Sequence, residues 1–194
     1  MRNEEFTIDN FEDFDVKYLI GYSKEKNKIA RFFENRYEST SSSYLSTIKV
    51  FVGCEIESCD FAIEIYSVGE NDDPRSQINN KEIVGYAEEG KNWTTIDVLE
   101  HLIKFPKQGL FVVLKWLKTE ENLYEYSGHK KNREKRYTYS TYAPQFGTIP
   151  SESEFLWVYE NETWEKAEKN KLSLLQRYEG KHSVPAIKLL FDNL

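Results

Sequence analysis

The hydrophobic residues of this chain recur with a period of two, and this alternation constrains the fold more than any other feature. In the segment FAIEIYSV, the side chains of Phe61, Ile63 and Ile65 alternate with those of Glu64 and Tyr66. Successive residues of a β-strand point to opposite faces of a sheet, so one face of this segment is apolar. The pattern predicts a strand that buries one face.

Segments of this kind recur along the chain, separated by turn-like stretches such as GENDDPRS and FPKQG. About ten strands at this spacing predict an antiparallel β-sandwich, jelly-roll-like, with at most one or two short helices. The predicted strands are KYLIGYS from Lys17, KIARFFE from Lys28, TIKVFVG from Thr47, FAIEIYSV from Phe61, EIVGYA from Glu82, NWTTIDV from Asn92, LFVVLKWL from Leu110, RYTYSTYA from Arg136, EFLWVYE from Glu154 and VPAIKLLF from Val184. The residues expected in the shared core are Phe61, Ile63, Ile65, Val112, Leu114 and Trp116.

The chain has 194 residues, of which 15% are aromatic. This length suits one domain, because domains usually contain about 100 to 200 residues. Tyrosine and phenylalanine favour pleated, half-buried surfaces, which again indicates strands. We expect an N-terminal lead over residues 1–16 and a single β-sandwich domain over residues 17–194.

The formal charge of the chain is −7 at pH 7, which argues against nucleic-acid binding because phosphate backbones attract coherent positive surfaces. One basic run, HKKNREKR from His129 to Arg136, departs from this balance. Gly128 before it and Tyr137 after it predict an exposed hairpin tip, where solvated charges are common. We therefore expect no nucleic-acid partner.

No apolar run reaches the length of about 18 residues that a membrane-spanning helix requires. The N-terminal sequence MRNEEFTIDNFEDFDV is too acidic and too polar for a signal peptide. A signal peptide that has been removed leaves no trace in the mature sequence. A location in the cell envelope or periplasm and a cytoplasmic one therefore both stay open.

Two cysteines, Cys54 and Cys59, stand in the segment GCEIESCDF, without the paired spacing and histidines of a zinc site. The flanking strands predict a hairpin with EIES as its loop, which would bring the two thiols face to face. Two alternatives stay open: a pair of free thiols near a turn, or a hairpin disulfide.

Helical patterning is weak in this sequence. The best stretch runs from Thr163 to Gly180, with Thr163 as a candidate N-cap, but its apolar positions form no continuous stripe. We expect a strand that ends near Trp164, followed by a loop or a short helix.

The segment NWTTIDVLEHLIKF gathers Asp97, Glu100 and His101 among apolar residues. It begins with strand formers, and Pro106 truncates anything downstream, so at most two helical turns fit. His101 has no second histidine at helical spacing and no H-E-x-x-H context. We expect a structural role for all three residues, with Asp97 ending a strand and accepting backbone N–H groups of the following turn.

The sequence contains none of the local motifs that mark common catalytic and cofactor sites. G-x-S-x-G is absent, neither cysteine has a histidine nearby, and the glycine-rich phosphate-binding patterns are missing. We predict no catalytic residues, no metal ligands and no cofactor. In the acidic loop GENDDPRS, a cation site and a solvated turn around Pro74 both stay open, although the EF-hand pattern is absent.

The tyrosine-rich segment RYTYSTYA is the strongest candidate for a binding surface. As a strand, it places Tyr137, Tyr139 and Thr141 on one face, and Thr138 and Tyr142 on the other. These tyrosines either pack between sheets with their hydroxyls in water, or display rings that can stack on the apolar faces of sugars. The candidate ligand-binding residues are Tyr137, Tyr139 and Trp116.

A longer stretch combines a strand ending in I-Y-S, an acidic loop with a proline, G-x-x-W-x-x-x-D, P-x-x-G-x-F-V and an apolar strand with a tryptophan. Together with the later YAPQFG and FLWVYENETW, it resembles the β-sandwich region of carboxypeptidase-regulatory-like domain proteins of Bacteroidetes. The shared marks are packing and turn residues, so the resemblance implies a fold and a cell-envelope location but no established chemistry. The chain departs from the family pattern in segment 97–103 and in lacking the small sandwich that usually comes first.

The sequence therefore predicts a non-catalytic interaction or scaffold module whose partner is an unknown protein or a glycan. The alternative is a carbohydrate-binding module that uses exposed Tyr and Trp side chains. A carboxylate-based hydrolase is least favoured, because no two acids are paired across a defined cleft. The interaction module and the carbohydrate-binding module differ in one expected feature. Only the carbohydrate-binding module requires Tyr137, Tyr139 or Trp116 to line an open, flat face.

Overall fold

The computed structural model describes residues 6–36, 43–129, 136–167, 178 and 180–193. In these residues the chain is all-β and antiparallel, with two short 3-10 helices at Asp13–Asp15 and Leu99–His101. The strands are β1 (Phe6–Ile8), β2 (Tyr18–Ile20), β3 (Lys28–Phe33), β4 (Ser43–Val68), β5 (Pro74–Gln77), β6 (Ile83–Asp97), β7 (Leu110–Trp116), β8 (Leu123–His129), β9 (Arg136–Tyr142), β10 (Gln145–Ser151), β11 (Trp157–Glu160), β12 (Thr163–Lys166), β13 (His182–Pro185) and β14 (Ile187–Asn193). The predicted β-sandwich is thus confirmed.

Strand β4 spans 26 residues and belongs to both layers of the sandwich. Along one edge it pairs with β6, from Thr47 to Ile63. Along the other edge it pairs in turn with β14, β10 and β7. One layer therefore contains β14, β1, β10, β13 and β2, and the other contains β7, β3, β11 and β12.

Apolar side chains from the two layers meet in one core. Phe61 on β4 packs edge to face against Phe146 on β10, with 5.3 Å between the ring centroids. Trp116 on β7 lies 4.7 Å from the same Phe146 ring. All six predicted core residues are buried, which confirms the predicted strand registers: Phe61, Ile63, Ile65, Val112, Leu114 and Trp116.

The number of strands exceeds the predicted ten, because several strands lack clear alternation. Strand β5 begins at a proline, and β10 contains Gly147 and Pro150, residues that weaken a strand pattern. The predicted segments EIVGYA and NWTTIDV, in contrast, form one continuous strand, β6. Thr163 begins β12 and is not a helix N-cap; most of the predicted helical stretch lies outside the described residues.

The predicted hairpin between Cys54 and Cys59 is wrong, because both residues lie on the continuous strand β4. Its register with β6 shifts between Cys54 and Ser58, so a bulge absorbs the EIES segment. A bulge bends its strand and strengthens the local twist, which lets β4 pass from one layer into the other. Both thiols are buried and free. Burial, followed by a hydrogen bond with Cys54, raises the pKa of the Cys59 thiol, so the thiol stays protonated at neutral pH.

The turn predicted at Asp97 is present after β6. Asp97 ends β6, and its Oδ1 accepts the backbone N–H of Leu99 at 3.0 Å, which confirms the predicted turn. The following 3-10 helix ends at Leu102, whose backbone is left-handed at φ 49°. Ile103 is buried, and its carbonyl accepts the N–H of Leu45 at the start of β4.

Residues of the N-terminal segment pack against the sandwich at several places. Strand β1 pairs with β14, which places Phe6 in a stack on Phe191, with 4.7 Å between the ring centroids. Phe11 packs against Trp93 on β6. The Nζ of Lys188 on β14 donates to Oδ1 of Asp13 at 2.8 Å.

Two neighbouring positions test the assignment of the buried and exposed faces. Ile63 on β4 is buried, whereas Val84 on β6 is 45% exposed. We expect Ile63→Ala to lower the free energy of unfolding by about 2 to 5 kcal/mol, because it leaves a cavity in the core. Val84→Ala, the matched control, should change it by less than about 0.5 kcal/mol. Urea unfolding of both variants measures the difference, and equal losses would contradict the assigned faces.

Candidate functional site

Strands β8 and β9 form a separate two-stranded hairpin that is anchored to the sandwich at its base. The anchor is Asn122, a buried side chain that immediately precedes β8. Its amide donates to the carbonyls of Asp60 and Leu117 at 2.8 and 3.0 Å, and its Oδ1 accepts the N–H of Asp60. The N–H of Ala143, just after β9, donates to the carbonyl of Asn122 at 2.8 Å. Both ends of the hairpin are thus held to the sandwich.

One face of this hairpin carries a row of tyrosines. Tyr139 on β9 is directly opposite Tyr126 on β8, and Tyr137 is opposite Gly128. The rings of Tyr126 and Tyr139 stack with their centroids 5.4 Å apart. Tyr137 lies next to Tyr139, and Tyr124 lies next to Tyr126. Residues directly opposite each other share a face, so Tyr137 and Tyr139 lie on one face, as the sequence predicts.

The tyrosine stack borders an open groove of about 920 Å³ between the hairpin and the loop that follows β2. Tyr126 is 50% exposed, so a large part of its ring is available to a ligand. Hydroxyl groups and two lysines accompany the rings along the walls. We call this surface the tyrosine groove, and its lining residues are Tyr22, Ser23, Lys24, Lys118, Leu123, Tyr126, Thr138, Tyr139, Ser140, Thr141 and Tyr142.

Trp116, the third candidate ligand-binding residue, is a core residue and not a displayed ring. Its side chain is 2% exposed, and its Nε1 donates to the carbonyl of Pro144 at 2.6 Å. Trp116 instead supports the groove from below, because the edge of Tyr22 packs against it. The structure thus removes Trp116 from the candidate ligand contacts and leaves Tyr139 in the groove, with Tyr137 beside it.

Several groove residues were not identified from the sequence, among them Tyr22, Lys24, Lys118 and Tyr126. Tyr126 could have been identified from the sequence. It lies in LYEYSGH, which alternates in the same way as RYTYSTYA, and the two segments flank the basic run as the strands of a hairpin would. The structure describes this hairpin up to His129 and again from Arg136, and these two residues are paired. No local sequence pattern identifies Tyr22 or Lys118 as a groove residue, because the loops after β2 and β7 come together only in the folded protein.

A second groove, of about 750 Å³, lies near the opposite ends of β3 and β7. Its aromatic residues include Trp157, which is only 6% exposed, and Phe155, which is 38% exposed. Lys166 covers the ring of Trp157, with its Nζ 5.1 Å from the ring centroid. Glu34 and Arg36 at its rim form an ion pair with each other. This groove therefore displays less aromatic surface than the tyrosine groove.

The outer face of the β3–β7–β4 layer holds one largely buried carboxylate, Glu64. It accepts Nζ of Lys28 at 2.6 Å, lies 3.4 Å from Nζ of Lys115, and accepts the hydroxyl of Tyr66 at 3.2 Å. Burial opposes ionisation of Glu64, but Lys28 and then Lys115 outweigh it and hold the pKa of Glu64 below its ordinary value. Burial and the adjacent Glu64 raise the pKa of Tyr66 to about 12. Glu64 is thus an ionised partner of two lysines.

A second buried charge, Arg31 on β3, is fully engaged in hydrogen bonds. Its Nε and Nη2 donate to the two oxygens of Glu154 at 2.7 and 3.2 Å. Nη1 donates to the carbonyls of Pro185 and Ile187, and Nη2 also donates to Oδ1 of Asn10. Removing an isolated charge from water is costly, so this network explains how arginine is tolerated in the interior.

The other predicted candidate residues are not part of an assembled site in the described residues. His101 lies 3.8 Å from the neighbouring Glu100 and does not line a pocket that contains two carboxylates. The acidic loop forms the turn between β4 and β5, in which the N–H of Gly69 donates to the carbonyl of Asp73. No group of three or more potential metal ligands occurs in the residues that the structure describes. In the same residues, no helix is both long and apolar enough to span a membrane.

An antiparallel β-sandwich with a tyrosine-lined surface groove is therefore the class of protein that this structure defines. No protein-family model matches the sequence, and no curated protein matches it. The resemblance to carboxypeptidase-regulatory-like domain proteins therefore stays a prediction beyond the shared β-rich architecture.

The fold is similar to part of a clostridial cysteine protease, Cwp84, solved after propeptide cleavage. That match has 13% sequence identity and a TM-score of 0.57, and it covers 98% of this chain and 40% of that chain. A structure of the cysteine protease and lectin-like domains of Cwp84, a surface layer associated protein of Clostridium difficile, matches with 12% identity and a TM-score of 0.49. This second match covers 88% of this chain and 32% of that chain. At these identities the likeness shows the fold alone.

The paired charges of Glu64 predict a pH-dependent stability. A carboxylate whose pKa is lowered by folding stabilises the protein above its ordinary pKa, and the contribution is lost as the pH falls through the folded value. Glu64→Gln should therefore lower the free energy of unfolding by about 1 to 3 kcal/mol at neutral pH, since it leaves Lys28 without its partner. The difference from the wild type should shrink as the pH falls below the ordinary pKa of a glutamate side chain and through the lower pKa of Glu64 in the folded protein.

Urea unfolding at neutral and at acid pH measures this effect. The matched control is Glu88→Gln, which removes the same charge from an exposed position on β6. A loss that is equally large at both pH values would show that the shape of the Glu64 side chain, and not its charge, stabilises the fold.

Proposed function

We propose that this chain is a non-catalytic binding module and that the tyrosine groove is its ligand-binding surface. The observation that carries this proposal is the stacked Tyr126–Tyr139 pair, with half of Tyr126 exposed beside an open groove. Exposed aromatic rings on a fixed support are well suited to binding, because little conformational entropy is lost when they contact a ligand. The Asn122 anchor supplies that support.

We propose a glycan as the ligand. Aromatic rings offer apolar faces that match the apolar faces of sugar rings, while hydroxyl groups can donate to and accept from sugar hydroxyls. Both kinds of group line the tyrosine groove; its hydroxyl-bearing residues include Ser23, Thr138, Ser140 and Thr141. The alternative is a purely structural role, in which the tyrosines only pack between strands. The exposure of Tyr126 argues against this alternative.

A non-catalytic role is part of the same proposal. Among the described residues, Glu64 is engaged by Lys28 and Lys115, and Glu154 is engaged by Arg31. A glycoside hydrolase would need two carboxylates on either side of a scissile bond. The described lining of the tyrosine groove contains no carboxylate. A cell-envelope location, which the sequence resemblance implies, would bring such a module into contact with glycans.

A second candidate function is a protein contact through the outer face of β6. Val84 and Tyr86 alternate on this strand and are 45% and 59% exposed. Large apolar side chains that cluster on a surface are typical of protein interfaces. This face supports a scaffold role, and it also supplies a control for experiments on the tyrosine groove.

Tyr126→Ala tests the proposed function. Removing a central aromatic residue from a binding site usually costs at least about 2 kcal/mol, so glycan binding should weaken by more than about tenfold. The readout is a glycan array, followed by titration calorimetry with the glycans that bind. Tyr86→Ala is the matched control, because it removes an equally large exposed ring from β6 and should leave binding unchanged.

Two outcomes would contradict the proposed function. The wild-type chain could fail to bind on a broad array of neutral and acidic glycans. Alternatively, Tyr126→Ala and Tyr86→Ala could bind equally well while both remain folded, which far-UV circular dichroism would establish.

A further inference from the structure

The tyrosine groove has a charge opposite to that of the whole chain. The chain carries a formal charge of −7. In contrast, the described lining of the groove contains Lys24 and Lys118 and no aspartate or glutamate. A cleft lined by one sign of charge attracts ligands of the opposite sign, even on a protein of unfavourable net charge.

The two lysines keep their charge available to a ligand. Both are exposed, and in the part of the chain that the structure describes neither forms an ion pair with a carboxylate. Lys118 lies over the ring of Tyr22, with its Nζ 5.6 Å from the centroid, an arrangement that holds its cation beside the groove. Nearby Lys26 differs, since it lies 3.8 Å from Glu160.

Two other charged residues on the described part of the hairpin, Arg136 and Glu125, have opposite signs. Arg136, at the start of β9, is exposed and adds a positive charge. Glu125 on β8 is also exposed and accepts a hydrogen bond from Ser140 at 3.5 Å, so it offsets part of this positive charge. Tyr126 and Tyr139 line the same groove as the two lysines.

We propose that the ligand of the tyrosine groove is an anionic glycan, whose sugar rings carry carboxylate or phosphate groups. The inference rests on the proposed function and adds the class of glycan to it. Sugar rings would stack on Tyr126 and Tyr139, and the anionic groups would contact Lys24 and Lys118. A lysine ammonium is a compact charge that binds carboxylate and phosphate alike, so the shared chemistry is the negative charge.

Nucleic acid also combines rings with negative charges, but it fits this surface less well. High affinity for a nucleic acid comes from neutralising many phosphates along the backbone. The groove supplies two lysines on a chain with a charge of −7. An acidic glycan, which carries a few charges along its sugar chain, matches a site with two lysines better than a nucleic acid does.

The test compares acidic polysaccharides with their neutral counterparts. The panel contains polygalacturonate, alginate, hyaluronan and a phosphorylated mannan, each beside its methyl-esterified or dephosphorylated form. We expect the wild-type chain to bind at least one acidic member about tenfold more tightly than its neutral form at low salt, since two exposed charge pairs contribute about threefold to fivefold each. The preference should narrow at about 1 M salt, where the screening length falls to about 3 Å.

The decisive variant is the double substitution Lys24→Ala and Lys118→Ala. It should lose the preference for the acidic form, so that the acidic and neutral forms bind this variant with equal affinity. The matched control is Lys81→Ala with Lys91→Ala, which removes the same total charge from exposed positions around β6 and should keep the preference. The carboxylated and phosphorylated members distinguish the two sources of negative charge.

The two proposals fail in different ways. Equal binding of acidic and neutral forms by the wild type, with loss of both in Tyr126→Ala, overturns the anionic inference and keeps the proposed function. Loss of the preference for acidic glycans in the control variant, Lys81→Ala with Lys91→Ala, also overturns the anionic inference. The preference would then depend on the net charge of the chain and not on the groove lysines. Tight binding of single-stranded DNA without binding of any glycan overturns both proposals.

Discussion

The rest of the structure depends on the continuous pairing of β4 with its neighbours. This strand exchanges hydrogen bonds with β6 along one edge and with β14, β10 and β7 along the other. A single extended segment therefore sets the register of both layers. Because a shift of one residue would turn every side chain to the opposite face, the burial of Phe61 and Ile63 and the exposure of Val84 follow from this pairing.

The position of the tyrosine groove follows from the same strand. The backbone N–H and carbonyl of Asp60 on β4 both bond to Asn122, and Asn122 fixes the base of the β8–β9 hairpin. The groove forms because this hairpin is held beside the loop after β2, where Tyr22 packs between Tyr142 and Trp116. Substitutions at Asn122 should therefore displace the groove as well as destabilise the fold, since its buried amide has three protein partners.

The sequence predicted those features that local patterns record. Alternation identified the strands of the core, and the tyrosine spacing placed Tyr137 and Tyr139 on one face. It could not separate Trp116 from a displayed aromatic residue, because tryptophan suits both a core and a binding surface. Nor could it find the β-bulge, since CEIESCD is compatible with a hairpin loop and only the long pairing with β6 excludes one. Lys118 and Tyr22 meet through tertiary structure that no local pattern reports.

The likeness to a much longer protease chain concerns the backbone, so any function of this chain must be sought in its own side chains. Its buried charges are engaged by partners: Arg31 bonds to the carbonyls of Pro185 and Ile187 in the opposite layer, and Glu64 pairs with Lys28 and Lys115 within its own layer. The β8–β9 hairpin is different, because its strands pair only with each other. Of its tyrosines, Tyr124 packs against the sandwich core, whereas Tyr126 is 50% exposed. Exposed residues of the hairpin can therefore be substituted without disrupting the core, provided that Asn122 is kept. Under the proposed function, binding specificity is therefore most readily encoded on the hairpin, beside Lys24 and Lys118 of the neighbouring loops.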